Sequence, residues 1–122
     1  MNTPKLFKMV FPKYKYCSVR LETFKNNPVF KYSNLKAEDL AEAGFFHTGK
    51  EDQTICYYCG GGLRNWEEDD SPWEQHAMWF SRCPFLLVSK GQDFVDECCG
   101  RKQKNPLTKQ RFSTKDELLT PQ

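Results

Sequence analysis

Cys56 and Cys59 are separated by two residues, His76 follows after sixteen more, and Cys83 after a further six. A Cys-x2-Cys pair on a hairpin with Gly60 next has the form of a zinc knuckle, because a small residue lets the backbone fold around two thiolates. One nitrogen and three sulfurs can close a tetrahedron, and thiolate-rich tetrahedral ligation favours Zn²⁺. Four protein ligands leave no position for a substrate water, so one such ion is structural. Other cysteine chemistry fits less well. A thioredoxin-like redox pair needs its Cys-x2-Cys at a helix N-terminus, whereas three glycines, Gly60, Gly61 and Gly62, follow here. A disulfide scaffold requires an export signal that the sequence does not display. A deaminase-type zinc places His-x-Glu ahead of the cysteine pair, whereas here the pair comes first and Ala77 and Met78 follow His76. Cys17, Cys98 and Cys99 read as free thiols, and His47 as a surface or packing histidine.

The elements that must hold these side chains can be read around them. Ser71-Pro72-Trp73-Glu74 places Ser at the N-cap, Pro at the first helical position and Glu at the third, a capping box with a preset first turn. That helix is expected to run to about Phe80, with His76 on it and Cys83 just past its end. Three short strands, Phe45–Thr48, Gln53–Tyr58 and Gly62–Trp66, are separated by Gly49–Asp52 and Cys59–Gly61, which predicts an antiparallel meander. Upstream, Ser18 can cap a short helix through Phe24, with Val19, Leu21 and Phe24 available to pack and Pro28 beyond its end. A second helix beginning between Ser33 and Ala37 carries Leu35, Leu40, Ala41 and Ala43 inward, and Gly44 follows at a left-handed C-cap position. Pro84–Val88 and Lys90–Cys99 read as one interrupted or two short helices, with Gly91 at the weak point. Residues 1–16 show neither the 3.6-residue helical period nor the two-residue strand period and read as a basic N-terminal arm or linker. The zinc domain spans 17–99, and 100–122 reads as a polar, mobile tail.

Composition bounds the answer. The 122 residues are 39% hydrophobic and 28% charged, which suits one domain with a small core. At about 80 residues a single core supplies little surplus stability, and a metal staple matters. No apolar run approaches a membrane span, and 1–16 lacks the apolar stretch of a secretory signal, so a cytoplasmic location is expected. There, six cysteines are better explained by metal ligation than by disulfides. The net charge of +2 hides a segregation. Residues 1–36 carry eight Lys/Arg against one Glu, 37–99 carry four against thirteen acids, and 100–122 carry six against two. The zinc-bearing block is therefore acidic and repels phosphates, and a nucleic-acid role would have to use the flanks.

Several motifs match one family. Arg20-x-x-x-Phe24, Leu40-Ala41-x-Ala43-Gly44-Phe45-Phe46-x-Thr48-Gly49 and Cys56-x2-Cys59-Gly60-Gly61-Gly62-Leu63 resemble the baculoviral IAP repeat, or BIR domain, of the inhibitor of apoptosis (IAP) proteins. Trp66, Pro72-Trp73-Glu74-Gln75-His76-Ala77 and Cys83 continue the resemblance, which covers about residues 17–98. It implies an α+β fold, a three-stranded antiparallel sheet with four to five short helices around one Zn²⁺ held by Cys56, Cys59, His76 and Cys83. The chain resembles the later, peptide-binding BIR domains, with insect or insect-virus proteins as near relatives.

The resemblance implies an anti-apoptotic, non-enzymatic binding module. Such domains bind free, Ala-initiated N-termini of caspases and of pro-death antagonist proteins, inhibiting or sequestering them. By position, Trp66 and Trp79 correspond to aromatic walls and Asp70 and Gln75 to an ammonium-binding pair. Leu63 and Trp66 bound the pocket for the Ala methyl, and Gly62 and Arg64 pair with the peptide backbone, with Asn65 between them and Trp66. Thr48, Gln53, Thr54 and Ile55 correspond to a pocket for the fourth residue. The physics of such a site is general. A sheet edge takes an extended peptide through main-chain hydrogen bonds and reads it through pockets, and a buried ammonium needs a carboxylate. If the strand Gly62–Trp66 is regular, Arg64 and Trp66 face the same side. Trp73 is assigned to core or helix support, and Glu67, Glu68 and Asp69 read as a solvated acidic turn. The alternative is a zinc-stabilised nucleic-acid binder using the basic flanks, but the Cys-x2-Cys-x16-His-x6-Cys spacing departs from the two-histidine finger. No second Cys/His cluster follows Cys99, so ubiquitin-ligase activity is not expected, and neither nucleic acid nor membrane is expected as a partner.

Overall fold

Mostly apolar or small residues at 45–47, 54–56 and 62–64, with His47 and Arg64 at strand ends, give three strands whose side chains alternate between two faces. The computed structural model describes residues 9–25 and 35–100, and the backbone of 110–112. Strands β1 (Phe45–His47), β2 (Thr54–Cys56) and β3 (Gly62–Arg64) form the expected antiparallel meander. Phe46 lies opposite Ile55, and Thr54 lies opposite Leu63. All three strands are shorter than the sequence suggests. Asn65 takes a left-handed φ of 63° and ends β3, so strand alternation stops at Arg64 and does not carry Trp66 onto Arg64's face. A fourth strand, β4 (Gln110–Phe112), extends this sheet from within the tail, pairing antiparallel with β3. The rest of 101–122, the arm residues 1–8, Pro28 and Ser33 lie outside the described residues.

Five α-helices surround the sheet among the described residues: α1 (Cys17–Glu22), α2 (Ala37–Glu42), α3 (Pro72–Trp79), α4 (Pro84–Lys90) and α5 (Gln92–Cys99). Ser71 caps α3 as its sequence predicts, its Oγ accepting from the Glu74 N–H at 3.4 Å, and Pro72 opens the first turn. Gly91, at φ 89°, separates α4 from α5. Gly44, at φ 101°, ends the turn after α2 and passes directly into β1. A side chain at Gly44 would meet the Phe85 ring at 2.9 Å, so both conformation and space demand glycine. Tyr16, with no side-chain cap, precedes α1, so Ser18 lies inside the helix it was expected to cap. Arg20 is the residue α1 buries, Phe24 is buried in the turn that follows it, and Val19 is exposed.

The sheet has an apolar layer on each side. On one, Leu40, Phe45, Leu63, Ala77, Leu86 and Val95 form the main core together with Cys56 and Cys83. On the other, Phe46, Ile55 and Tyr57 form a smaller cluster. This second layer is closed by the end of the N-terminal arm: Phe11 meets Phe46 edge-on at 5.3 Å and Tyr14 stacks on it at 3.9 Å. The arm's backbone is fixed to the sheet by Val10 and Phe11 N–H groups donating to Tyr58 and Tyr57 carbonyls at 3.1 and 2.8 Å. No helix among the described residues is long and apolar enough to cross a membrane.

Candidate functional site

The β2 end and the turn after it bring Cys56 and Cys59 together, and α3 with the residue before α4 supplies His76 and Cys83. All four ligand atoms lie within 4.8 Å of one another. A tetrahedral Zn²⁺ with sulfurs at about 2.3 Å sets them roughly 3.8 Å apart. Cys56 Sγ is 3.9 Å from Cys83 Sγ, and Cys59 Sγ is 3.9 Å from His76 Nε2. The imidazole is aimed by its other nitrogen: Nδ1–H donates to the Ala43 carbonyl at 2.8 Å, leaving the Nε2 lone pair for the metal. Two backbone N–H groups, those of Tyr58 and Gly61, donate at 3.4 Å to Cys56 and Cys59 Sγ, which stabilises thiolate charge. The predicted set is therefore assembled in full, and it fits one ion.

The electrostatics of the sulfurs also calls for a cation. Burial, with hydrogen bonding to Cys59 and Cys83, holds the Cys56 thiol well above its ordinary range. At Cys59 the hydrogen bond with Cys56 favours the thiolate, but the one with Cys83 and burial outweigh it and push the thiol up to about 12. Cys83 is pulled far down by hydrogen bonds from Cys56 and Cys59. Two buried sulfurs and a half-buried one, close enough to share hydrogen bonds, make a site in which a dication can take the place of bridging protons. With every position filled by protein, its part is structural.

Beside this centre, β3 has an outer edge. Cys56 N–H donates to the Gly61 carbonyl at 2.9 Å, which places the Thr54–Leu63 pair in the same hydrogen-bonded phase and turns Leu63's backbone groups toward β2. Gly62 and Arg64 therefore turn theirs outward, and they are the residues opposite Phe112 and Gln110 of β4. The two positions assigned to peptide backbone pairing are thus the ones that meet a strand, and that strand is the chain's own.

The remaining predicted residues take varied surroundings. Leu63 is fully buried in the main core. Trp66 is half-buried, its Nε1–H donating to Thr54 Oγ1 at 3.1 Å and its ring meeting Phe45 edge-on at 5.5 Å. Asn65 is exposed, at the left-handed turn. Asp70 Oδ2 accepts the Glu67 N–H at 2.8 Å, so this carboxylate closes the acidic turn. Gln75 is buried on α3, and its Oε1 accepts from Trp79 Nε1 at 3.2 Å. Thr54 and Ile55 are both fully buried on opposite sides of β2, so they do not line one pocket. Trp73 stacks on Phe85 at 5.6 Å, in line with helix support. His47 ends β1 and its ring turns onto the following turn: Nδ1 accepts from Gly49 N–H at 3.1 Å and Nε2–H donates to the Glu51 carbonyl at 2.7 Å.

Asp52 was assigned no role by its sequence context beyond a turn. Its carboxylate accepts from both Asn65 N–H at 3.1 Å and Trp66 N–H at 2.8 Å, which fixes the end of β3 and the entry of Trp66. The partners are backbone amides from another hairpin, so no spacing in the sequence announces the contact.

The chain is similar to known proteins over this region. The family model for the Inhibitor of Apoptosis domain, BIR, matches residues 20–87. Over 84 residues the chain is 50% identical to a protein of Orgyia pseudotsugata multicapsid polyhedrosis virus named E3 ubiquitin-protein ligase IAP-3, covering 69% of this chain and 31% of that protein. Over 86 residues it is 45% identical to Apoptosis inhibitor IAP of Cydia pomonella granulosis virus, covering 70% of this chain and 30% of the relative. It is 49% identical over 86 residues to Baculoviral IAP repeat-containing protein 7 of Mus musculus, again covering 70% and 30%. The chain spans less than a third of the length of these curated relatives.

Proposed function

Because the chain belongs to the inhibitor of apoptosis family through a BIR domain, we propose that it is an anti-apoptotic binding module that captures free, Ala-initiated N-termini at the β3 edge. Its partners on this reading are caspases and pro-death antagonist proteins, held or inhibited without catalysis by the module itself. The observation that supports it best is the outward turn of the Gly62 and Arg64 backbones, which accept an antiparallel strand. Trp66, Asn65 and Leu63 follow or lie within this edge, and Trp79 and Gln75 stand on α3 as a bonded pair. Asp70 is the carboxylate for the peptide ammonium, in an acidic turn that raises the local concentration of cationic N-termini. The names of two relatives, Apoptosis inhibitor IAP and Baculoviral IAP repeat-containing protein 7, support the same role. A cytoplasmic location suits a centre built from reduced thiols, and all six cysteines are free of disulfides.

The test is calorimetric titration with a short Ala-initiated peptide and its N-acetylated form. Acetylation is expected to weaken binding by about 2–5 kcal/mol, the usual cost of leaving a buried partner charge unpaired. Asp70→Asn is expected to cost a similar amount while leaving thermal stability nearly unchanged, because an amide oxygen still accepts the Glu67 N–H. Equal binding of free and acetylated peptides would remove the recognition mode.

A further inference from the structure

The β3 edge is already paired, and the strand on it comes from the same chain. Gln110–Phe112 runs antiparallel to β3, with Gln110 opposite Arg64, Arg111 opposite Leu63 and Phe112 opposite Gly62. Only Gly62 and Arg64 turn their backbone groups to that side, so an incoming peptide strand and β4 need the same N–H and C=O groups. We propose that the segment Gln110–Phe112 is a built-in competitor, a tethered strand that occupies the β3 edge and must leave before a peptide pairs there. This rests on the peptide-binding reading above. The geometry favours one occupant at a time, since a strand edge has a single row of donors and acceptors.

Charge and tether agree with this. The segment lies in a block with six Lys/Arg against two acids, and β3 leads within three residues into the acidic run Glu67–Asp70. Nine residues, 101–109, join the last described residue of the domain to β4, so the competitor is covalently attached to the edge it occupies and is not diluted away from it. β4 is an internal segment and brings no free N-terminus to Asp70. A ligand with an ammonium makes a contact that the competitor lacks, so it displaces the tail, whereas a ligand with only an extended backbone does not. The tail thereby raises the threshold for weak strands and leaves N-terminal recognition as the deciding contact.

The experiment uses the full chain and a full-chain Gln110→Pro/Phe112→Pro variant, which removes the two β4 N–H groups aimed at β3. Amide hydrogen exchange at Gly62 and Arg64 is read without ligand, and titration with the Ala-initiated peptide is read for both proteins, with equal zinc content as the control for folding. Expected are slowed exchange at both amides in the natural sequence, faster exchange in the variant, and peptide binding tighter by about three- to tenfold in the variant, as for a site open only a fraction of the time. Equal exchange in the two proteins overturns the pairing. Unequal exchange with equal peptide affinity overturns the competition and leaves peptide binding standing. Protection that grows with protein concentration assigns the strand to a second copy and overturns the intramolecular competitor. Failure of both proteins to bind the peptide removes the peptide-binding reading, and the competitor with it.

Discussion

His76 serves two neighbours at once, and its neighbours define it. Nδ1–H is spent on the Ala43 carbonyl, so the ring ties the turn after α2 to the metal centre while Nε2 faces the sulfurs. Structural zinc contributes about 10–16 kcal/mol in small zinc domains. That matches or exceeds the whole stability of a typical domain, about 5–15 kcal/mol. His76→Ala and Cys83→Ala are therefore expected to abolish cooperative folding, and strong chelation to do the same to the natural sequence. Thermal unfolding with a zinc assay checks this; a sharp transition in zinc-free protein would show that the core suffices alone. The four ligands were legible because thiol, imidazole and spacing are properties of the chain itself. Asp52 and Arg20 were less so. Their partners are the Asn65 and Trp66 amides and the Ala41, Tyr14 and Lys15 carbonyls, main-chain groups that carry no signature of residue type.

Among the elements, the turn joining β2 to β3 is the most tightly constrained. Gly60 N–H donates to Cys56 O at 2.9 Å, Gly61 N–H donates to Cys59 Sγ, and Gly61 O accepts from Cys56 N–H. A methyl on Gly61 would come within 2.5 Å of the Phe80 ring, which itself sits edge-on to His76 at 6.3 Å. Gly61→Ala is expected to destabilise the domain by about 1–3 kcal/mol, the range for overpacking. It should also weaken zinc in competition with a chelator, because the knuckle must shift to make room. An unchanged melting temperature and zinc affinity would mean that Phe80 swings away freely. At this scale α3 was readable from Ser71 and Pro72, since a cap is a local contact. The end of β3 was not, because the left-handed Asn65 is held by a carboxylate thirteen residues earlier. Nor was β4 readable, since its reason to be extended is the outward edge of β3 and not an apolar alternation of its own.

In the whole molecule the sheet is covered on both faces, and Arg20 is where the covers meet. Its Nε–H donates to Ala41 O at 2.8 Å, and Nη1 donates to Tyr14 O at 2.9 Å and Lys15 O at 3.1 Å. The guanidinium also lies over the Tyr57 ring at 4.6 Å and the Phe85 ring at 5.8 Å. One buried side chain thus joins α2, the docked arm, the second apolar layer and the zinc-side helix α4. The family match begins at this residue, so the arm that closes the second layer lies before it. A lysine keeps the charge but cannot supply a fork to three carbonyls or stack as a plane. Arg20→Lys is expected to lose about 2–4 kcal/mol, since two or more charge-assisted bonds are lost at a buried site, each worth roughly 1.5–3 kcal/mol before partial replacement by the ammonium. Because Tyr14 and Lys15 are held through Arg20, the arm should loosen first: proteolysis within 9–16 and exchange of the Val10 and Phe11 amides should accelerate before global unfolding. Zinc content should persist, as no ligand contacts Arg20. If the amides of Val10 and Phe11 keep their protection in the lysine variant, the arm is held by the Phe46 stack alone and Arg20 joins only the helices.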